Sequence, residues 1–215
     1  MSDATNTQSI TESAPPRKRP KPGERRIQIL QTLAQMLEQP HGERITTAAL
    51  AARLAVSEAA LYRHFASKAQ MFEGLIEFIE QSVFTLVNQI VQREEATGGD
   101  AAAVGARQAT RVVTMVMQFA ERNPGMARVM VGDALVFENE RLLARMNQFF
   151  DKLEATLKQC LRGGSSEALT SAVDAQVRSA VLAAFMVGRL QRFVRSGFKR
   201  PASENLDASL SLILG

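Results

Sequence analysis

The chain has 215 residues, 46% of them apolar, with 26 Lys and Arg against 22 Asp and Glu for a net charge of +4. Its single cysteine, Cys160, excludes a disulfide framework within the chain and fits a reducing compartment, and with His41 and His64 it supplies too few ligands for a zinc site. No run of 18 apolar residues occurs and the N-terminus has no apolar signal core, so the expectation is a cytoplasmic protein, neither spanning a membrane nor secreted.

Residues 1–23 begin with Ser, Thr and Asn and end in "APPRKRPKPG", which holds four of the seven prolines. They read as a disordered basic, Pro-rich arm: either a solvated tail or a segment that grasps a nucleic-acid backbone through "RKRPK". From Glu24 the pattern is helical, with Ile27, Leu30, Leu33, Ala34 and Leu37 at three-and-four spacing until "QPHGE". Thr46 or Thr47 caps a short helix through Leu54, "AVS" turns the chain, and Ser57 caps a second short helix reaching Phe65. Ser67 and Gln70 form a Ser-x-x-Gln capping box that opens a longer helix, whose stripe runs Phe72, Leu75, Ile76, Ile79, Val83, Leu86, Val87 and Ile90 before "EEATGG" breaks it.

Asp100 caps the next helix, with Val104, Val112, Val113, Val116 and Phe119 inward, and "RNPG" at 122–125 stops it. A short helix over 126–131 follows, then a helix over 138–161 carrying Leu142, Met146, Phe149, Phe150, Leu153, Leu157 and Leu161. "RGGSSE" is a loop; the helix over 172–196 is apolar on more than one face, and a last helix fills 204–214. No strand pattern occurs, so the expected fold is all-α.

Charge is not spread evenly along these elements. Residues 1–16 carry a net −2, residues 17–70 a net +6, and the remaining 145 residues are neutral. A neutral body with one basic end points to a polyanion met at that end only. Two short helices joined by a tight turn inside the basic stretch have the helix-turn-helix layout. Ser57 and Ala59 are small enough to let a duplex close on the backbone. The helix N-termini at Thr46, Thr47, Ser57 and Ser67 offer unpaired amides to phosphate. Tyr62, Arg63, His64 and Lys68 add donors that reach phosphate oxygens or base edges. Ser57 and Ser67 cap helices whether or not DNA is present, and Glu58, which favours its helix dipole but repels phosphate, is expected to point aside.

The stretch "RITTAALAARLAVSEAALYRHFASKAQMF" resembles the helix-turn-helix of the TetR family, with its run Leu-Tyr-Arg-His-Phe followed by Ser-Lys. "FAERNPGMARVMVGDALVFENERLLARMNQFF" and "RFVRSGFK" extend the resemblance into the C-terminal part, toward the nucleoid occlusion factors of that family. The resemblance implies a TetR-like fold, with a DNA-binding domain over 24–70 and a helical dimerisation and partner-binding domain over 71–215. It implies a homodimer that binds palindromic double-stranded DNA, associates with the nucleoid, and inhibits cell division by binding FtsZ and opposing Z-ring assembly. Carried over by position, it places Phe78, Arg122 and Asn123 at the FtsZ contact.

Two other classes compete. A ligand-gated TetR-type repressor predicts a small-molecule pocket, for which Thr110, Thr114, Gln118 and Gln191 are candidate lining residues or plain surface positions. An enzyme would need paired carboxylates, a phosphate-cradling Gly loop or a nucleophile with its base, and no such constellation is present in the sequence. The expectation is therefore a binding protein with no catalytic residue, metal or cofactor.

Overall fold

The computed structural model describes residues 23–39, 44–162 and 168–215, so all but Gly23 of the arm expected over 1–23, and residues 40–43 and 163–167, lie outside the described residues. Among the described residues the chain is all-helical: α1 Glu24–Leu37, α2 Thr47–Arg53, α3 Glu58–Tyr62, α4 Lys68–Thr97, α5 Ala101–Arg122 and α6 Pro124–Met130, then a 3-10 turn η1 Asp133–Leu135, α7 Glu140–Arg162, α8 Ala168–Arg195 and α9 Leu206–Leu214.

Local chemistry sets most of the boundaries. Of the two threonines it is Thr46 that caps α2, its Oγ1 accepting from the Ala49 amide at 3.1 Å. After α2 the amides of Ala55 and Val56 return to the carbonyls of Ala52 and Ala51, with Ala55 left-handed at φ 53°. This is a Schellman closure with an alanine where glycine is usual, a conformation that costs an L-residue about 1 kcal/mol. Ser57 Oγ accepts from the Ala60 amide at 3.3 Å and starts α3. That helix ends at Tyr62, short of the expected Phe65, because the amides of His64 and Phe65 both bond the carbonyl of Leu61 and tighten the last turn. Ser67 caps α4 through the Gln70 amide at 3.2 Å, but the Gln70 side chain reaches back to the amide of Ala66 rather than of Ser67.

The core stripe of α4 is Met71, Phe72, Leu75, Ile76, Ile79, Val83 and Val87, each no more than 1% exposed. Burying one such side chain contributes about 2 kcal/mol. Two expected members fall outside the core: Leu86 is 39% exposed, and Ile27 of α1 is 57% exposed. α4 also runs through "EEAT" to Thr97. Glu94 turns inward there and is held by Arg107 Nε at 3.1 Å and Arg111 Nη1 at 2.9 Å, so α5 neutralises a carboxylate of the stretch expected to break the helix. Asp100 caps α5 by accepting from the Ala102 and Ala103 amides.

Asn123 ends α5 and Pro124 begins α6 at once, two residues ahead of the expected start, since proline suits the first turn of a helix. α4 continues from the helix-turn-helix into the body, where α5 and α7 pack on it and α8 and α9 pack beyond them. Arg145 of α7 forks onto both oxygens of Glu80 of α4, at 3.2 and 2.6 Å, and this hydrogen bonding raises the Arg145 pKa despite partial burial. Phe84 and Phe149 meet edge-on at 5.6 Å along the same seam. α6 lies on α1, with Arg128 Nη1 donating to the carbonyls of Leu37 and Gln39, so the C-terminal end of α1 is capped from outside its own half.

Candidate nucleic-acid interface

Leu50, Ala51, Leu61 and Phe65 are buried and fix α2 and α3 against α1 and α4. The opposite side of the pair is left exposed: Thr46, Ala48, Ala49, Ala52, Arg53, Ser57, Glu58, Ala59, Tyr62, Arg63 and His64 all face solvent. Four of these are alanines, so nothing bulky keeps a double helix from the start of α3. Tyr62 is 45% exposed although it is the chain's only tyrosine. Among the described residues, neither its hydroxyl nor the side chains of Arg63 and His64 have a partner.

The turn behind this face is braced by a residue outside the expected site. Arg26 of α1 donates Nη1 to the His64 carbonyl at 3.1 Å and lies 4.2 Å above the Phe65 ring. That cation–π contact and hydrogen bond hold the α3–α4 turn. An Arg on the polar flank of a helix next to Ile27 gave no sign of it.

Two expected contact residues are already engaged. Thr47 Oγ1 donates to Glu58 Oε2 at 2.5 Å, tying the start of α2 to the start of α3. Glu58 therefore does not simply point aside; it clamps the two helices. Lys68 contacts Glu138, in the segment between η1 and α7, and Arg44 Nε lies 3.8 Å from the same carboxylate. Glu138 is not among the expected site residues, because a pairing 70 residues apart leaves no local pattern.

The other expected contact set is distributed over α4 and the α5–α6 junction. Phe78 is 48% exposed on α4, and Arg122 is exposed at the end of α5 with no hydrogen bond or ion pair among the described residues. Asn123 is half-buried, its Nδ2 donating to the Phe119 carbonyl at 2.7 Å, so its amide shapes the turn. Of the polar candidates for a ligand pocket, Gln118 is exposed, while Thr110, Thr114 and Gln191 are half-buried. Gln191 lines an open surface groove between α7 and α8 with Phe150, Ala184 and Gly188. Among the described residues there is no cluster of three or more His, Cys, Asp or Glu placed to hold a metal ion, and no helix is long and apolar enough to cross a membrane.

Comparison with known proteins places both halves of the chain. Residues 29–75 match the family described as bacterial regulatory proteins, tetR family, and residues 106–214 match the SlmA-like family described as tetracyclin repressor-like, C-terminal domain. The chain is 50% identical over 185 residues to the nucleoid occlusion factor SlmA of Photobacterium profundum, covering 85% of this chain and 90% of the relative. It is 52% identical to the protein of that name from a Marinomonas species, covering 83% and 87%. Among solved structures it is similar in fold to the TetR-family regulator PfmR of Thermus thermophilus, with a TM-score of 0.63 at 21% identity over 86% of this chain and 96% of that one. It is also similar in fold to the regulator FadR of Bacillus subtilis, solved with stearoyl-CoA, with a TM-score of 0.64 at 13% identity over 88% and 97%. Identity this high across both halves is decisive: the chain, with its tetR-type DNA-binding end, belongs to the SlmA family of nucleoid occlusion factors.

Proposed function

We propose that the protein is a DNA-bound inhibitor of cell division, which binds palindromic chromosomal sites as a homodimer and opposes assembly of FtsZ into a Z-ring over the nucleoid. The observation that carries the reading is the extent of the likeness: about half the residues are shared with nucleoid occlusion factors through the C-terminal half as well as the helix-turn-helix. A regulator related only through its DNA-binding end would share much less beyond α4.

On this reading the exposed face of α2 and α3 meets the major groove. Ser57 and Ala59 allow close approach, Tyr62 and Lys68 hold phosphates, and Arg63 and His64 reach backbone or base edges, with the N-termini capped by Thr46 (beside Thr47) and by Ser67 facing the phosphates. The dimer forms through α8 and α9. Val173, Val177 and Val181 of α8 are 66%, 55% and 45% exposed at four-residue spacing, and Leu212 of α9 is 87% exposed, which leaves an apolar face for a second copy. Phe78, Arg122 and Asn123 form the FtsZ contact, supported by the exposed Phe78 ring and by the Arg122 guanidinium, unengaged among the described residues. A genome-wide binding map tests the function as a whole. Many sites spread over the chromosome and missing around the replication terminus are expected; occupancy confined to one or two promoters contradicts it.

A further inference from the structure

Glu138 is 70 residues from Lys68 in the chain, yet its side chain is only 8% exposed and it contacts the Lys68 ammonium. Arg44 approaches the same oxygen at 3.8 Å and donates Nη2 to the neighbouring Phe137 carbonyl at 3.3 Å. Both cations come from the basic stretch that flanks the helix-turn-helix: Arg44 precedes the cap of α2, and Lys68 opens α4 beside its cap Ser67. For an ammonium, a carboxylate and a phosphate are the same kind of partner, an anion with paired acceptor oxygens.

We infer that Glu138 is an internal competitor for DNA: the carboxylate occupies the Lys68 and Arg44 cations that a phosphate requires, and duplex binding loosens the 136–139 segment that these cations anchor. The inference rests on reading Lys68 as a phosphate contact. The competition holds whichever way the ammonium turns. If Lys68 leaves Glu138 for the phosphate, a nearly buried carboxylate loses its closest counter-charge. If Lys68 bridges the two anions, they are brought within a few ångströms of each other and repel.

Beyond backbone hydrogen bonds, and Asn139 Oδ1 accepting from the Arg141 amide, residues 136–139 have little besides these cations to hold them. The chain just before them is fixed without the cations, since Gly132 and Leu135 are buried and Asp133 pairs with Arg128 at 2.6 Å, whereas Val136 and Phe137 are 69% and 73% exposed. Coupling of this kind is reciprocal, so whatever fixes the 136–139 segment on Glu138 lowers DNA affinity by the same factor as DNA loosens the segment.

The test uses the full chain and a fluorescent duplex of arbitrary sequence, read by anisotropy at fixed salt. Glu138→Gln is expected to bind more tightly, on the order of fivefold, and the gain is expected to shrink when Lys68→Met is added. Unchanged or weaker binding by Glu138→Gln, while Lys68→Met still weakens the wild type, overturns the competitor role alone. Lys68→Met binding as tightly as wild type removes the phosphate assignment and the inference with it. Hydrogen exchange on the wild type needs no variant to fold. The Glu138 amide, bonded to the Leu135 carbonyl, and the Leu142 amide, bonded to Asn139, are expected to exchange faster when duplex is saturating. Exchange unchanged by duplex overturns the coupling.

Discussion

Gly125 packs directly on the backbone of Ala34: a Cβ at 125 would lie 2.0 Å from the Ala34 carbonyl oxygen and 3.1 Å from Leu37 Cβ. α6 therefore meets α1 with no side chain between them, and Arg128 one turn on seals the contact at the Leu37 and Gln39 carbonyls. The glycine of "RNPG" thus does more than end a helix; it joins the helix-turn-helix end to the body.

Gly125→Ala is expected to push α6 off α1 and to destabilise the fold by about 2 kcal/mol, the usual cost of overpacking a rigid contact. Urea unfolding at fixed protein concentration checks it, because mass action moves the midpoint of an oligomer. A midpoint equal to wild type contradicts the close approach.

Tyr62→Phe removes only the hydroxyl and is expected to weaken specific and arbitrary duplexes alike by about tenfold, the worth of one hydrogen bond to a charged group. The slope of log affinity against log salt should stay the same for this uncharged group, and become shallower by about 0.9 for Lys68→Met. Titrations at several salt concentrations read both. A change in the preferred sequence, with affinity for arbitrary DNA untouched, contradicts the phosphate assignment.

The exposed valines of α8 make the oligomeric state a direct test of that face. Wild type is expected to sediment as a dimer without DNA at micromolar concentration, and Val177→Asp with Val181→Asp as a monomer, since a charge in an apolar interface stays unpaired. A monomeric wild type contradicts the dimer, and a double variant that stays dimeric places the interface elsewhere.

Cys160 is buried against the α5 backbone, and burial pushes its thiol up to about 11. The unfolded thiol titrates near about 8.5, so between about pH 8.5 and 11 the folded chain keeps a proton that the unfolded chain has lost. Stability then falls as pH rises through that window, by at most about 1.4 kcal/mol per pH unit. Cys160→Ala is expected to flatten this part of the stability–pH curve, and native Cys160 to resist alkylation at pH 8. Rapid labelling without unfolding contradicts the burial.

Much of this architecture was legible because the signals were local. Thr46, Ser57, Ser67 and Asp100 announced four helix starts, each accepting amides two or three residues ahead. What escaped was set by tertiary partners. Glu94 reads as part of a break until Arg107 and Arg111 are folded onto it, and the Lys68–Glu138, Arg145–Glu80 and Arg26–Phe65 contacts join residues with no common sequence pattern. Periodicity also located an apolar face without saying what covers it. Ile27 and Leu86 sit at the edge of their stripes and stay exposed, and Val177 and Val181 belong to a helix apolar on more than one face and lie open in this chain.

The central claim, antagonism of FtsZ from a DNA-bound state, is tested most directly by pelleting FtsZ polymers with the duplex-bound protein, wild type against Arg122→Asp. Arg122 is exposed, so its substitution should shift stability by no more than about 0.5 kcal/mol and leave DNA affinity and dimerisation unchanged. The account predicts that the wild type depletes the polymer pellet and that Arg122→Asp does not. Equal depletion by both proteins contradicts the Arg122 assignment alone; an intact pellet with the wild type contradicts the account.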